Sequence, residues 1–243
     1  TMQFQKKIRK MFQKIGLNFL IQGVSKIALL VLMFYLGKFG GPRLLGEVSF
    51  TLSMMGIVGI LSISGMDRYL LQKAAYIFVK NETLNRGEVY PEYGVVVLNA
   101  AILGPVICVL LFCSLSTVDF QLEHGENYCF LAGMILLHPI VSLNSHVLNA
   151  AKKVNLSQLL NQNCVHMCVL LVLAIGKMLG FTSINLDEIL RAYFFSYLGT
   201  CLIGARFLWR LTSQSESWRI SYGRIIRRGF PFFLMGALPV ISF

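Results

Sequence analysis

Residues 16–37, GLNFLIQGVSKIALLVLMFYLG, form an apolar run long enough to cross a bilayer, with a lysine near its middle. A helix needs about 20 mostly apolar residues to cross a hydrocarbon core about 30 Å thick. A basic flank precedes this run and a Gly/Pro turn follows it, so the stretch predicts a transmembrane helix. Within it Asn18, Gln22, Ser25 and Lys26 stand at i, i+4, i+7 and i+8, which places them on one face of a helix. The opposite face is Leu, Ile, Val and Phe. A mid-span lysine costs on the order of 3 kcal/mol, so such residues face a bundle interior or a watery cavity. Lys26 is therefore expected to point inward as a cavity-lining cation. The plainer alternative pairs it with a carboxylate or a helix end, or stretches its stem toward the interface.

The whole chain has the same character. Of its 243 residues 56% are hydrophobic and 14% charged, and the mean hydropathy is +0.66. A soluble domain of this composition would expose large apolar patches, so the chain reads as a polytopic membrane protein. The net charge of +11 does not indicate nucleic acid, because the cations sit beside apolar spans rather than on a soluble basic module. Cys108, Cys113, Cys129, Cys164, Cys168 and Cys201 lie in or beside apolar runs without a C-x-x-C pair. They indicate neither a zinc site nor a disulfide framework and read as small buried hydrophobes. No cleavage site follows the first apolar run before Lys38, so that run is a retained span and not a signal peptide.

Residues 1–15 set Phe4, Ile8, Met11, Phe12 and Ile15 among five cations, the pattern of a basic amphipathic segment on an anionic leaflet. A six-helix transmembrane lobe then fills residues 16–209. Its second span is expected at about 44–66, the third at 93–115, the fourth at 128–148, the fifth at 156–178 and the sixth at 189–208. Between spans two and three, Leu70, Leu71, Ala74, Ile77 and Phe78 recur at helical spacing in a polar connector. Residues 210–228 form a basic inter-lobe connector. Residues 229–243 are apolar but too few to cross, so they read as the start of a truncated seventh span. The fold class expected is an all-α polytopic transmembrane helix bundle of six spans plus a truncated seventh.

Charge sets its orientation. If the N-terminus is cytoplasmic, that side holds the five cations of the arm, Arg68, Lys73, Lys80, Arg86, Lys152, Lys153 and six late arginines, 17 of the 22. The other side holds Lys38, Arg43, Lys177 and Arg191. This asymmetry places the N-terminus in the cytoplasm, and it removes Asn81-Glu-Thr83 and Asn155-Leu-Ser157 as glycosylation sites.

A second polar stripe is expected on the fifth helix, where Asn155, Gln158, Gln162 and His166 stand at i, i+3, i+7 and i+11. Interhelical hydrogen bonding and cavity lining account for it equally well, and His166 is a candidate proton acceptor. His138-Pro139 marks a local break in the fourth helix, with Asn144, His146 and Asn149 scattered around it. Gly56, Gly59 and Gly65 suit close helix approach. Enzyme chemistry is not indicated: no carboxylate falls at mid-span, and H-E-x-x-H, phosphate-cradling Gly loops and G-x-S-x-G are lacking. Neither a metal nor a cofactor is called for.

The order of features resembles a family. The basic arm and the first span with its internal Asn and Lys are followed by Gly41-Pro42-Arg43-Leu44-Leu45-Gly46 and Val48-Ser49-Phe50. Ser64-Gly65-Met66-Asp67-Arg68-Tyr69-Leu70 then closes span two, and Arg227-Arg228-Gly229-Phe230-Pro231 leads into a further apolar run. Together these look like the N-terminal region of Wzx-type polysaccharide biosynthesis flippases of the multidrug/oligosaccharidyl-lipid/polysaccharide exporter superfamily. The resemblance implies two pseudo-symmetric six-helix lobes in the cytoplasmic membrane, moving a lipid-diphosphate-linked oligosaccharide outward with a coupling cation. Lys26, with Asn18, Gln22 and Ser25, would receive the anionic diphosphate, and Gln158, Gln162 and His166 would line the cavity. The departure is that only one lobe and a stub of the second are present, whereas alternating access needs both. Two other classes stay open: an ion-coupled drug or metabolite antiporter of the same superfamily, for which an intramembrane carboxylate is expected, and a structural membrane protein.

Overall fold

The computed structural model describes residues 2–63, 65–81, 84–115, 126–179 and 185–213, with Arg227 and Pro231. Of the inter-lobe connector only residues 210–213 and Arg227 are described, and of the seventh-span stub only Pro231. Eight helices follow in order: α1 (Met2–Phe39), α2 (Gly41–Ile63), α3 (Met66–Asn81), α4 (Arg86–Leu115), α5 (Glu126–Ala150), α6 (Val154–Leu159), α7 (Gln162–Met178) and α8 (Leu186–Leu211). The only extended pairing among the described residues sets Leu84–Asn85 parallel to Thr212–Ser213. Among the described residues four helices are long and apolar enough to cross a membrane, over Gly16–Phe39, Gly41–Ile63, Val89–Leu110 and Cys129–Ala150. The chain is thus an all-helical membrane protein.

Local chemistry explains most boundaries. A single residue, Gly40, separates α1 from α2, and Gly41 takes a φ of +81° that a side chain would resist. Pro42 falls in the first turn of α2, where its missing N–H costs nothing. Gly65, with φ +71°, turns the chain from α2 into α3. α3 is the amphipathic helix that the connector's spacing predicts, with Leu70, Ala74 and Ile77 buried and Leu71 and Phe78 packed beside them.

Four expectations are corrected. The arm at 1–15 is no separate segment in the backbone, because α1 runs unbroken from Met2 to Phe39. Pro139 does not break α5, which continues to Ala150. The fifth span is not one helix: a turn at Leu160 and Asn161 divides it into α6 and α7. Of the five cysteines whose side chains are described, Cys129 and Cys168 are exposed on the helix surface rather than buried, since in this setting lipid and not protein covers an apolar side chain.

The bend into α6 has a cause. Lys152 donates its N–H to the Asn149 carbonyl at 2.9 Å and Lys153 donates to the Leu148 carbonyl at 3.0 Å. This is the hydrogen-bond pair that ends a helix with a left-handed residue, and Lys152 has a φ of +58°. Beyond it Ser145 and Ser157 bond reciprocally: the Ser145 hydroxyl donates to the Ser157 carbonyl at 3.0 Å, and the Ser157 hydroxyl to the Ser145 carbonyl at 2.8 Å. α6 is thereby held against α5. A lysine in that conformation costs about 1 kcal/mol that glycine does not. Lys152→Gly should therefore raise stability by about 1 kcal/mol, read as a later midpoint in an SDS titration of the detergent-solubilised protein.

Packing follows a parallel and antiparallel pattern. α1 and α7 run side by side in the same direction, with Ser25 against Met167 and Lys177 over Tyr35. α5 and α8 are also parallel, matched by His138 with Tyr197 and Asn144 with the Cys201 carbonyl. Glycine lets α5 and α8 approach. A Cβ at Gly204 would meet the Asn144 amide at 2.7 Å, and one at Gly133 would meet the Phe194 ring at 2.5 Å. Two apolar clusters result, one joining α3, α4 and the end of α5, the other joining α1, α2, α7 and the starts of α5 and α8. Lipid tails are as apolar as leucine, so close packing and polar contacts must hold such a bundle together.

Candidate functional site

Polar side chains meet in the α5–α7–α8 interior, where the second apolar cluster surrounds them. His166 of α7 has its Nδ1 3.0 Å from the Tyr193 hydroxyl, and His138 of α5 has its Nδ1 3.1 Å from the Tyr197 hydroxyl. Tyr193 and Tyr197 stand one turn apart on α8, so a single helix face supplies both phenols. The tyrosines and His138 are buried and His166 is half-buried. Gly59 of α2 completes the setting, since a Cβ there would lie 2.6 Å from the His138 ring. Of the three glycines expected to admit neighbours, this one does; Gly56 faces open space and Gly65 serves the turn.

The stripe on α1 is split by the fold. Ser25 is buried, donating to the Ile21 carbonyl at 2.8 Å and lying 3.6 Å from the Met167 sulfur. Asn18 is half-buried, and its Oδ1 has no hydrogen-bond partner among the described residues. Gln22 and Lys26 are exposed. Lys26 thus does not face the interior of this lobe: it stands on the lobe's surface beside the α1–α7 seam. The reason is helical phase, because the face centred on Ser25, Leu32 and Leu36 is the one α1 buries, and Lys26 stands about 100° away from Ser25. The second stripe is divided as well. Asn155 and Gln158 belong to α6, Gln162 and His166 to α7, and both elements pack on α1.

A second polar network joins α3, α4, α5 and α8. Lys73 of α3 forms an ion pair with Glu92 of α4, and the Tyr69 hydroxyl donates to the same carboxylate at 3.4 Å. Glu92 is 9% exposed, and its Oε2 has no partner among the described residues. The Tyr93 hydroxyl donates to Asn144 Oδ1 at 2.7 Å, the Asn144 amide to the Cys201 carbonyl at 3.3 Å, and the Asn99 amide to the Ser62 carbonyl at 2.9 Å. Asp67, beyond the second span, lies 3.3 Å from His146 Nε2. Burial pushes the Asp67 carboxyl up, but the His146 contact and the Arg68 amide and charge outweigh it and hold the group below the ordinary carboxylate range. Among the described residues no three His, Cys, Asp or Glu side chains gather as metal ligands would.

Sequence reasoning picked out Lys26 and His166 but not the tyrosines, and treated His138 and Asn144 as weak. The signal present was Tyr193 and Tyr197 at i, i+4, which by itself marks a core face as readily as a site. Compared with known proteins, the chain matches no family model, no curated protein and no solved structure.

Proposed function

We propose that this chain forms the first lobe of a flippase that moves a lipid-diphosphate-linked oligosaccharide across the cytoplasmic membrane. In this reading α6–α7 and α8 supply the fifth and sixth spans, and the cation asymmetry sets the N-terminus in the cytoplasm. The observation that carries it is the exposure of Lys26, with Gln22, on a helix surface whose other large exposed side chains include Phe19, Leu30 and Phe34. A charge at that depth needs water, protein or an anion against it. A diphosphate entering between this lobe and a second one supplies the anion, while its lipid tail stays beside the exposed apolar side chains. Gln22 next to Lys26 offers hydrogen bonds to the same headgroup.

A second reading has one observation in its favour. Glu92, buried within the Val89–Leu110 segment, is the kind of carboxylate that an ion-coupled antiporter uses. Its place near the end of that segment and its pairing with Lys73 fit a structural role better. The experiment that separates the readings is rescue of surface-glycan export, in cells lacking their own flippase, by the full-length gene with and without Lys26→Ala. The flippase reading expects export to fall by at least tenfold in the alanine variant at equal protein level, and undiminished export removes Lys26 from the site.

A further inference from the structure

Two cations, one from α1 and one from α7, converge on a single aromatic ring at the end of the bundle where both helices stop. The Lys177 ammonium of α7 lies 3.1 Å from the centre of the Phe39 ring and 5.5 Å from that of Tyr35, and Lys38 of α1 lies 5.6 Å from the same Phe39 centre. The two rings are neighbours themselves, with centroids 4.8 Å apart. A ring attracts one ammonium through its quadrupole, but a second brought to it meets the first as a like charge. The last turns of α1 and α7 account for a lysine on each helix, because a helix C-terminus favours a cation. They do not account for setting both on one ring. Among the described residues neither lysine forms an ion pair, and the carboxylate that follows on α2, Glu47, is held by Arg43 at 2.9 Å. The Tyr35 hydroxyl is buried and has no hydrogen-bond partner among the described residues. The cluster holds positive charge and hydrogen-bond donors without a negative group, so an anion with several oxygens is what complements it.

We propose that Lys38 and Lys177 hold the phosphate of an anionic membrane phospholipid at the α1–α7 seam. What lies next to the lysines selects a membrane lipid over a soluble anion. Lys38 stands in the last turn of the Gly16–Phe39 span, where hydrocarbon gives way to headgroups. Back along the helix from it, Phe34, Val31 and Ile27 stand at i−4, i−7 and i−11 on the same face of α1, and they are 71%, 45% and 61% exposed. That stripe gives an acyl chain an apolar bed beginning beneath the cations. Cations at headgroup level beside such a surface are the means by which proteins recognise anionic lipids. By bridging the ends of α1 and α7, the phosphate replaces a repulsion between two ammonium groups with two charge-assisted contacts. Lys26 lies about 18 Å further along α1, so this site is separate from the one proposed above and does not depend on what the protein carries.

Native mass spectrometry of the detergent-solubilised protein, titrated with dioleoyl phosphatidylglycerol, reads the dissociation constant of the first lipid bound. Binding should be about tenfold tighter than that of dioleoyl phosphatidylcholine, whose headgroup carries its own cation. Lys38→Gln or Lys177→Gln alone should weaken phosphatidylglycerol binding about fivefold, and the two together roughly thirtyfold. Both side chains are exposed, so these variants should fold. The pair Lys38→Arg/Lys177→Arg, which keeps both charges, should retain the lipid, and so should Lys153→Gln, which removes an exposed cation elsewhere. Equal affinity for the two lipids, or undiminished binding by the double glutamine variant, overturns the proposal. An equally large loss in Lys153→Gln also overturns it, by making the binding a general effect of charge. Inorganic phosphate that displaces the lipid makes the ligand a free anion and overturns the assignment to a phospholipid.

Discussion

Lys26→Leu should give a protein that is more stable than the wild type and does not transport. Among the described residues Lys26 has no ion-pair partner. Its presence therefore costs the isolated lobe the price of an ammonium at membrane depth, on the order of 3 kcal/mol. Leucine suits the exposed apolar surface of α1 beside Phe19 and Leu30. The SDS midpoint of the leucine variant should rise by the equivalent of about 2–3 kcal/mol, whereas Lys26→Arg should leave it nearly unchanged. Export should follow the reverse order, kept by arginine and lost with leucine. Such opposition between stability and activity is expected where a group is retained for function. A leucine variant that exports normally would make the lysine an anchor reaching for the interface. One that is less stable would mean that Lys26 holds a partner beyond the described residues.

The spans were legible because length and apolarity alone decide them: α2 and α5 lie within three residues of their expected places, and α4 ends where expected but begins seven residues earlier. The amphipathic α3 was legible from the spacing of Leu70, Ala74 and Ile77. Three things were hidden, each for a physical reason. The turn at Leu160 and Asn161 carries no Gly or Pro; it follows from Lys152 turning left-handed and from the Ser145–Ser157 clasp, both tertiary matters. The split of the α1 stripe was hidden because α1 buries the side of Ser25, with Asn18 partly covered, and leaves Gln22 and Lys26 exposed. The His–Tyr pairs depend on α5, α7 and α8 aligning at one depth, which no single helix records. Burial itself is a poor guide in such a chain, since lipid solvates Phe19, Phe34 and Cys168 as well as a protein core would.

Breaking the Lys73–Glu92 pair should be costly from one side and cheap from the other. The side chain of Lys73 is 31% exposed and that of Glu92 12%, so the two partners do not depend on each other equally. Glu92→Gln leaves an ammonium able to reach water along its own stem, at a cost of about 1 kcal/mol or less. Lys73→Met instead leaves a carboxylate between α3 and α4 with only the Tyr69 hydroxyl against it at 3.4 Å and with Oε2 already unpartnered. An uncompensated buried charge of this kind costs about 3 kcal/mol. The double variant Lys73→Met/Glu92→Leu should recover most of that loss, because two apolar groups of similar volume replace a pair that had to be desolvated. SDS titrations of the three variants give the ordering directly. If Lys73→Met is no more harmful than Glu92→Gln, Glu92 is not held as a buried charge. The carboxylate would then be free to bind and release a cation, and the antiporter reading would gain the group it needs.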